Sequence, residues 1–336
     1  MHDLMQHRWI NTQTVGKERK MRKVGLASVK KCELIFARDN SVILSGKNPW
    51  LFRKDGSFVA KYNTIRKAYY MMFLPGNIAF LDGLLDESYH FISLDTGELL
   101  WSHQKKGKRD FTPREFAATA DGNILYYVYS VKKILHVDRL VLSEKTCTTY
   151  SIPLSMRATH HCYCDDRGYL CMLQSFLLPE DDENGKQLRF LGVLQWHPDD
   201  QNPTWKYQWI EPTRTEDGSV VTCNDEYVLL GSLKVRNLKT GDTFFLLENQ
   251  KVELPRLGSY TVQAYDKERD LLTIRFTWSC SNMIIDCRKR KIEAHYVPFD
   301  DDRVGGCLIG DEFWIGSDEG VSKRPFPHMD PFPKEF

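Results

Sequence analysis

Apolar residues along the chain gather in short runs of roughly four to eight, separated by clusters of turn formers, which is the spacing of strands rather than helices. The clearest unit is Phe91 to Trp101, FISLDTGELLW. Phe91, Ser93 and Asp95 fall on one side of an extended chain and Ile92 and Leu94 on the other, which predicts a half-buried strand. Asp95 is placed to accept a hydrogen bond from backbone two residues on, and Gly97 can adopt a positive φ, so Asp-Thr-Gly predicts a tight turn. Leu99, Leu100 and Trp101 then return as the partner strand.

The unit recurs. Val235 to Leu247 repeats it around Lys239-Thr240-Gly241-Asp242, and looser versions are Trp50 to Tyr62, Val137 to Tyr150 and Met283 to Tyr296, of which the last two lack the glycine. A second element, a turn followed by a short apolar run, places register marks at Val42, Ile78, Ile124, Leu170, Val228, Leu272 and Phe313. Successive marks are 36, 46, 46, 58, 44 and 41 residues apart. Repeats of about 40 to 45 residues suit a four-stranded propeller blade. The expected fold is therefore all-β, a β-propeller of about seven blades, with the apolar runs as inner strands and the hairpins as the outer two.

Asp95, Thr96, Gly97 and Trp101 resemble the repeat of quinoprotein-like (PQQ-like) β-propellers, whose tryptophans pack between neighbouring blades. The resemblance concerns architecture. Quinoprotein dehydrogenases carry an adjacent cysteine pair beside the cofactor, and no Cys-Cys dipeptide occurs here, so no cofactor is implied. No Trp-Asp dipeptide closes a repeat, which sets the chain apart from WD40 sequences.

The repeats divide the chain into a basic arm (1–23), a propeller (24–324) and a proline- and phenylalanine-rich tail (325–336) expected to run extended over the surface. Val24 to Val29 is expected to supply the missing outer strand of the last blade and close the ring. Formal net charge is +1, so no global field draws nucleic acid or an anionic membrane. No signal-like segment and no apolar stretch of about 18 residues occurs, and nine scattered cysteines suit reduced, buried thiols; the expectation is a cytoplasmic protein.

Candidate chemistry is sparse. His160, Cys162 and Cys164 alternate along a strand, and the turn after them is expected to bring Cys171 near Cys162; zinc takes about four such ligands, although buried thiols account for the same residues. Asp82, Asp225 and Asp311 are candidate acids for a metal in the central channel, the basis of a hydrolase or lyase reading. No Gly-x-Ser-x-Gly elbow and no glycine-rich phosphate loop occurs. Lys105 to Arg109 is expected to be a basic surface loop. Pro179 to Gln187, with Glu180, Asp181, Asp182 and Glu183, and Pro198 to Pro203, with Asp199 and Asp200, are acidic insertions at the rim of one blade; Trp205 and Trp209 beside them are expected to be partly exposed. The leading reading is a non-catalytic scaffold that engages a protein partner through these loops. Small-molecule or glycan binding by aromatic side chains at the channel mouth is the remaining alternative.

Overall fold

The computed structural model describes residues 26–29, 31–83, 85–105, 115–131, 134–152, 161–183, 185, 187–200, 202–212, 220–223, 226–230, 233–249, 260–266, 268–276, 281–297, 306–317 and 319–331. Seven antiparallel sheets follow one another along the chain, each built in sequence order from its first strand outward. Blade 1 comprises β1 (Leu34–Arg38), β2 (Ser41–Ser45), β3 (Trp50–Arg53) and β4 (Phe58–Lys61), and blade 2 comprises β5 (Ala68–Leu74), β6 (Ile78–Gly83), β7 (Ser88–Ser93) and β8 (Leu99–Gln104). Blade 3 has β9 (Glu115–Ala118), β10 (Ile124–Val131), β11 (Ile134–Val141) and β12 (Thr146–Ile152), and blade 4 has β13 (His161–Cys164), β14 (Leu170–Asp181), β15 (Gln187–Trp196) and β16 (Thr204–Pro212). Blade 5 is β17 (Val220–Cys223), β18 (Tyr227–Leu230), β19 (Lys234–Asn237) and β20 (Thr243–Phe245). Blade 6 is β21 (Tyr260–Asp266), β22 (Leu271–Phe276), β23 (Asn282–Asp286) and β24 (Lys291–Tyr296); blade 7 is β25 (Gly306–Ile309), β26 (Glu312–Ser317) and β27 (Gly320–Pro325).

All seven register marks fall in the second strand of a blade, from Val42 in β2 to Phe313 in β26. The reason is burial on both faces. In β10, Tyr126 and Val128 pack toward blade 4 while Leu125, Tyr127 and Tyr129 pack toward blade 2. In β2, Val42 and Leu44 face blade 7 and Ile43 faces blade 2. The core is thus divided into a separate apolar cluster at each seam between neighbouring blades. The seam of blades 7 and 1 joins Cys307, Ile309 and Trp314 to Val42, Leu44 and Phe52 and closes the ring. Each fully buried aliphatic or aromatic side chain in these seams contributes about 1.5 to 3 kcal/mol.

β7 corrects the half-buried expectation for FISLD: Phe91 enters the seam with blade 3, and Ile92 and Leu94 the seam with blade 1. A third strand still has a blade on each side. Solvent reaches the fourth, β8, whose residues are exposed or half-buried throughout. The turn also differs in detail. Ser93, not Asp95, caps it, its Oγ accepting from the N–H of Thr96 at 3.2 Å, while Asp95 accepts from the Asn77 amide at 3.1 Å. Gly97 does take a positive φ, +73°. In the two hairpins without glycine, Lys145 (φ +55°) and Arg290 (φ +52°) occupy the corresponding strained position.

Leu26–Ser28 form one 3-10 turn, and the Cys32 N–H donates to the Ser317 carbonyl at 2.8 Å, so the chain enters blade 1 beside the end of β26. The closing strand expected over Val24 to Val29 begins outside the described residues. At the other end, the segment after β27 turns back onto the outer edge of blade 6, where Met329 forms a parallel bridge with His295. Asp330 holds it there, accepting from the Val297 N–H at 2.8 Å and from Arg324 at 2.6 Å. The described part of the tail thus covers the edge of β24.

Candidate partner-binding surface

Blade 4 departs from the repeat. Its second, third and fourth strands have 12, 10 and 9 residues, against 5, 4 and 4 in blade 1 and 6, 6 and 6 in blade 2. Blade 3, its neighbour, comes nearer with 8, 8 and 7; in blade 4 the pairs Ser175 with Leu191, Phe176 with Phe190, Leu177 with Arg189 and Phe190 with Ile210 carry the sheet to the acidic hairpin. A row of aromatic rings supports it. Phe176 stacks on Phe190 at 4.8 Å, and Phe190 meets Trp205 edge to face at 5.0 Å. Gly192 makes room for that pair, since a Cβ there would lie 2.7 Å from each ring. Ile210, paired with Phe190 on the face of the row, is 63% exposed, and Leu177, paired with Arg189 on the opposite face, is 48% exposed.

The structure places the acidic candidates at both ends of this sheet. Asp181, Asp182 and Glu183 lie at the hairpin joining β14 to β15, whereas Asp199 and Asp200 lie at the opposite end, in the β15–β16 connection. Ten residues of β15 separate them, about 30 Å at roughly 3.3 Å per residue. Glu180 belongs to β14. The two loops therefore do not form one patch; they flank the outer strand β16. Trp205 is half-buried, packed on the seam with blade 3, and Trp209 is half-buried under the Arg236 guanidinium at 5.2 Å.

The candidate zinc ligands do not converge. Cys162 pairs with Met172 and Tyr163 with Cys171, so Cys171 points to the face of the sheet opposite Cys162 and Cys164. The expectation was one residue out of register, and a one-residue slip in a strand reverses the face. His160 lies outside the described residues. Among the described residues no cluster of three or more His, Cys, Asp or Glu is arranged for a metal. Burial pushes the Cys164 thiol far above its ordinary range, the neighbouring Cys171 and Asp165 adding to the effect.

Nor do the channel acids meet. Asp82 is wholly buried in the seam of blades 2 and 3, Asp311 sits in the exposed turn between β25 and β26, and Asp225 lies outside the described residues. Lys105, expected at the surface, is instead buried against Asp82 and stands over the Tyr89 ring at 4.9 Å. Tyr127 donates to the second oxygen of Asp82 at 3.2 Å. Next to it, Asp138 accepts from Tyr89 at 2.8 Å, Thr149 at 2.8 Å and Tyr129 at 3.3 Å. A fully buried carboxylate must be met by donors, and these are the donors. Lys106 to Arg109 lie outside the described residues.

Across the other face of blade 2, the His90 ring lies 2.5 Å from Asp86 through Nε2 and 2.8 Å from Ser102 through Nδ1. Gln104 extends the chain of contacts to Ser88 and to the backbone carbonyls of Asp86 and Glu87. These bonds tie β7 and β8 to the connection before β7. Asp86 and His90 lie four residues apart, but Ser102 joins them only through the pairing of β7 with β8, so no local serine motif marks the set in the sequence.

No helix among the described residues is long and apolar enough to cross a membrane. No family model matches the chain, and no curated protein matches it. Solved structures do. The computationally designed protein Ika8 aligns at 12% identity with a TM-score of 0.54, over 88% of this chain and 96% of that one. The extracellular domain of a B. thetaiotaomicron protein described as a hybrid two component system aligns at 9% identity with a TM-score of 0.50, over 88% of this chain and 38% of that one. At such identities the likeness shows the fold alone: the chain is a seven-bladed β-propeller.

Proposed function

We propose that this propeller is a non-catalytic scaffold whose working surface is the projecting part of blade 4. The observation that carries the reading is the length of β14, β15 and β16, which end in the exposed Leu177 and Ile210 beside the acidic hairpin of Asp181, Asp182 and Glu183. Exposed apolar side chains on the two faces of this end of the blade, with an acidic border, suit a protein partner that brings apolar side chains flanked by lysine or arginine. The buried groups elsewhere support a scaffold too: Asp82 and Asp138 are committed to partners across the seam of blades 2 and 3, and His90 to partners within blade 2.

The finer repeat type we propose is PQQ-like. In support, Gly97 lies against Val59 and Ala60 of blade 1, and Trp101 stacks on Phe91 at 5.1 Å in the seam with blade 3. A cytoplasmic location is part of the same proposal, supported by Cys32, Cys147, Cys162, Cys164, Cys171, Cys287 and Cys307 being thiols rather than disulfides.

The test compares proteins captured from source lysate by the wild type and by a Leu177→Asp, Ile210→Asp variant with an unchanged melt. A stoichiometric partner held by the wild type and lost from the variant supports the reading. Identical capture by both contradicts it.

A further inference from the structure

Two outer strands of this ring present contrasting edges. β24 is covered by the chain's own tail, which lies along it through the His295–Met329 bridge and the backbone bonds of His295 with His328 and Asp330, each 2.9 Å. β16, at 9 residues the longest of the outer strands, pairs only with β15 among the described residues. An outer edge of this fold therefore accepts an extended segment, and the longest such edge has none described on it.

Parity fixes what that edge offers. Pro212 pairs with Leu188 and has no N–H to donate, so it fits where the strand's amides turn away from β15. Two and four residues back, Ile210 and Gln208 share that orientation and direct their N–H and C=O groups outward. Both side chains are exposed. The edge runs between the two acidic loops, from Asp199 and Asp200 where β16 begins to Asp181, Asp182 and Glu183 one strand inward from where it ends. The one lysine on the strand, Lys206, is neutralised by Asp165 at 3.1 Å.

We infer that blade 4 binds an extended peptide of a partner protein by strand addition to β16, the peptide carrying lysine or arginine at both ends of a stretch of alternating apolar residues. Backbone hydrogen bonds to Gln208 and Ile210 supply register, Ile210 meets the apolar side chains, and the acidic loops meet the two basic ends. This rests on blade 4 being the working surface and adds the mode of recognition to it.

The probe is a fluorescent peptide of about eleven residues, roughly 3.3 Å each, with alternating valine and threonine between paired lysines, followed by anisotropy against the full chain. The expected result is salt-sensitive binding that weakens about tenfold or more when the lysines become glutamates, a difference of about 1.4 kcal/mol. N-methylation of every second peptide amide should abolish binding when it lies on the edge facing β16 and spare it on the other edge. Gln208→Pro, which removes an amide that β15 does not use, should abolish binding with an unchanged melt. Should that variant not fold, the methylated peptides decide alone. Equal binding of lysine- and glutamate-ended peptides, indifference to both methylation patterns, or no binding of the lysine-ended peptide overturns strand addition. Failure of the peptide while capture still depends on Leu177 and Ile210 removes this inference and leaves the scaffold reading; loss of that dependence removes the scaffold reading itself.

Discussion

The hydroxyl of Tyr89 in blade 2 donates a 2.8 Å hydrogen bond to Asp138 in blade 3, inside a seam that also buries the Asp82–Lys105 pair. This polar group stitches two blades through buried charges, whereas other seams are crossed by single side-chain bonds to backbone, as from Ser45 to the Ala68 carbonyl and from Tyr260 to the Leu230 carbonyl at 2.7 Å. Removing one member of a buried pair leaves the other charge unmet, so Lys105→Met should cost about 3 to 5 kcal/mol. Tyr89→Phe leaves Asp138 its bonds from Tyr129 and Thr149 and should cost about 1 to 3 kcal/mol. Urea midpoints of the two variants check the order; equal midpoints would refute the assignment of Lys105 to the seam.

Gly97 and Gly241 sit at the same turn position in blades 2 and 5, with φ of +73° and +78°. Their surroundings differ. A Cβ at Gly97 would lie 2.7 Å from the Ala60 Cβ, whereas at Gly241 the nearest atom would be the Arg236 Nη2 at 3.8 Å. Gly241→Ala should cost only the left-handed strain, about 1 kcal/mol, and Gly97→Ala roughly 2 to 4 kcal/mol with the clash added. At Lys145 the reverse change, Lys145→Gly, relieves strain and should gain up to about 1 kcal/mol. Thermal melts of the three variants suffice.

His295 is buried, and burial holds its imidazole below the ordinary 6.5 despite the opposing hydrogen bond and charge of Asp330. A histidine depressed in the folded state binds its proton more readily when unfolded, so its contribution is present above about pH 6.5 and is lost as pH falls through the folded value. Asp330, which burial would raise, is held below 3.8 by the Val297 N–H, His328 and Arg324, and its own contribution disappears only at lower pH. Stability should therefore decline in two acid steps, and His295→Gln should remove the upper one. A variant whose midpoint tracks the wild type between pH 6.5 and 5 would show that the tail contact carries no such linkage.

Burial pushes the thiols of Cys32 and Cys307 up to about 12. Both should stay unreactive to a thiol reagent at pH 8 in the folded protein and react on unfolding. Rapid labelling of either in the native state, located by peptide mapping, would contradict the packing of the blade 7 and blade 1 seam.

Much of the ring was legible in the sequence because second strands are buried on both faces, so each shows as an apolar run behind a turn. Val42, Ile78 and Leu170 needed no neighbour to be recognised. The outer hairpins were legible for a different reason, the turn chemistry at Gly56, Gly97 and Gly241. Lys105 was not, because its partners Asp82 and Tyr127 are remote in sequence and a buried lysine is written like an exposed one. Cys171 was misplaced by a single step of register. In blade 4 the acidic insertions were visible, but what joins them was not: β16 became a surface only once its length and its position at the edge were known.

The most direct test of blade 4 as the working surface is hydrogen exchange of the propeller with and without the partner it captures. Protection concentrated in residues 204–212 and in the β14–β15 hairpin, with blades 1 and 2 unchanged, is the predicted result. Protection elsewhere on the ring with β16 exchanging freely in the complex would contradict the account.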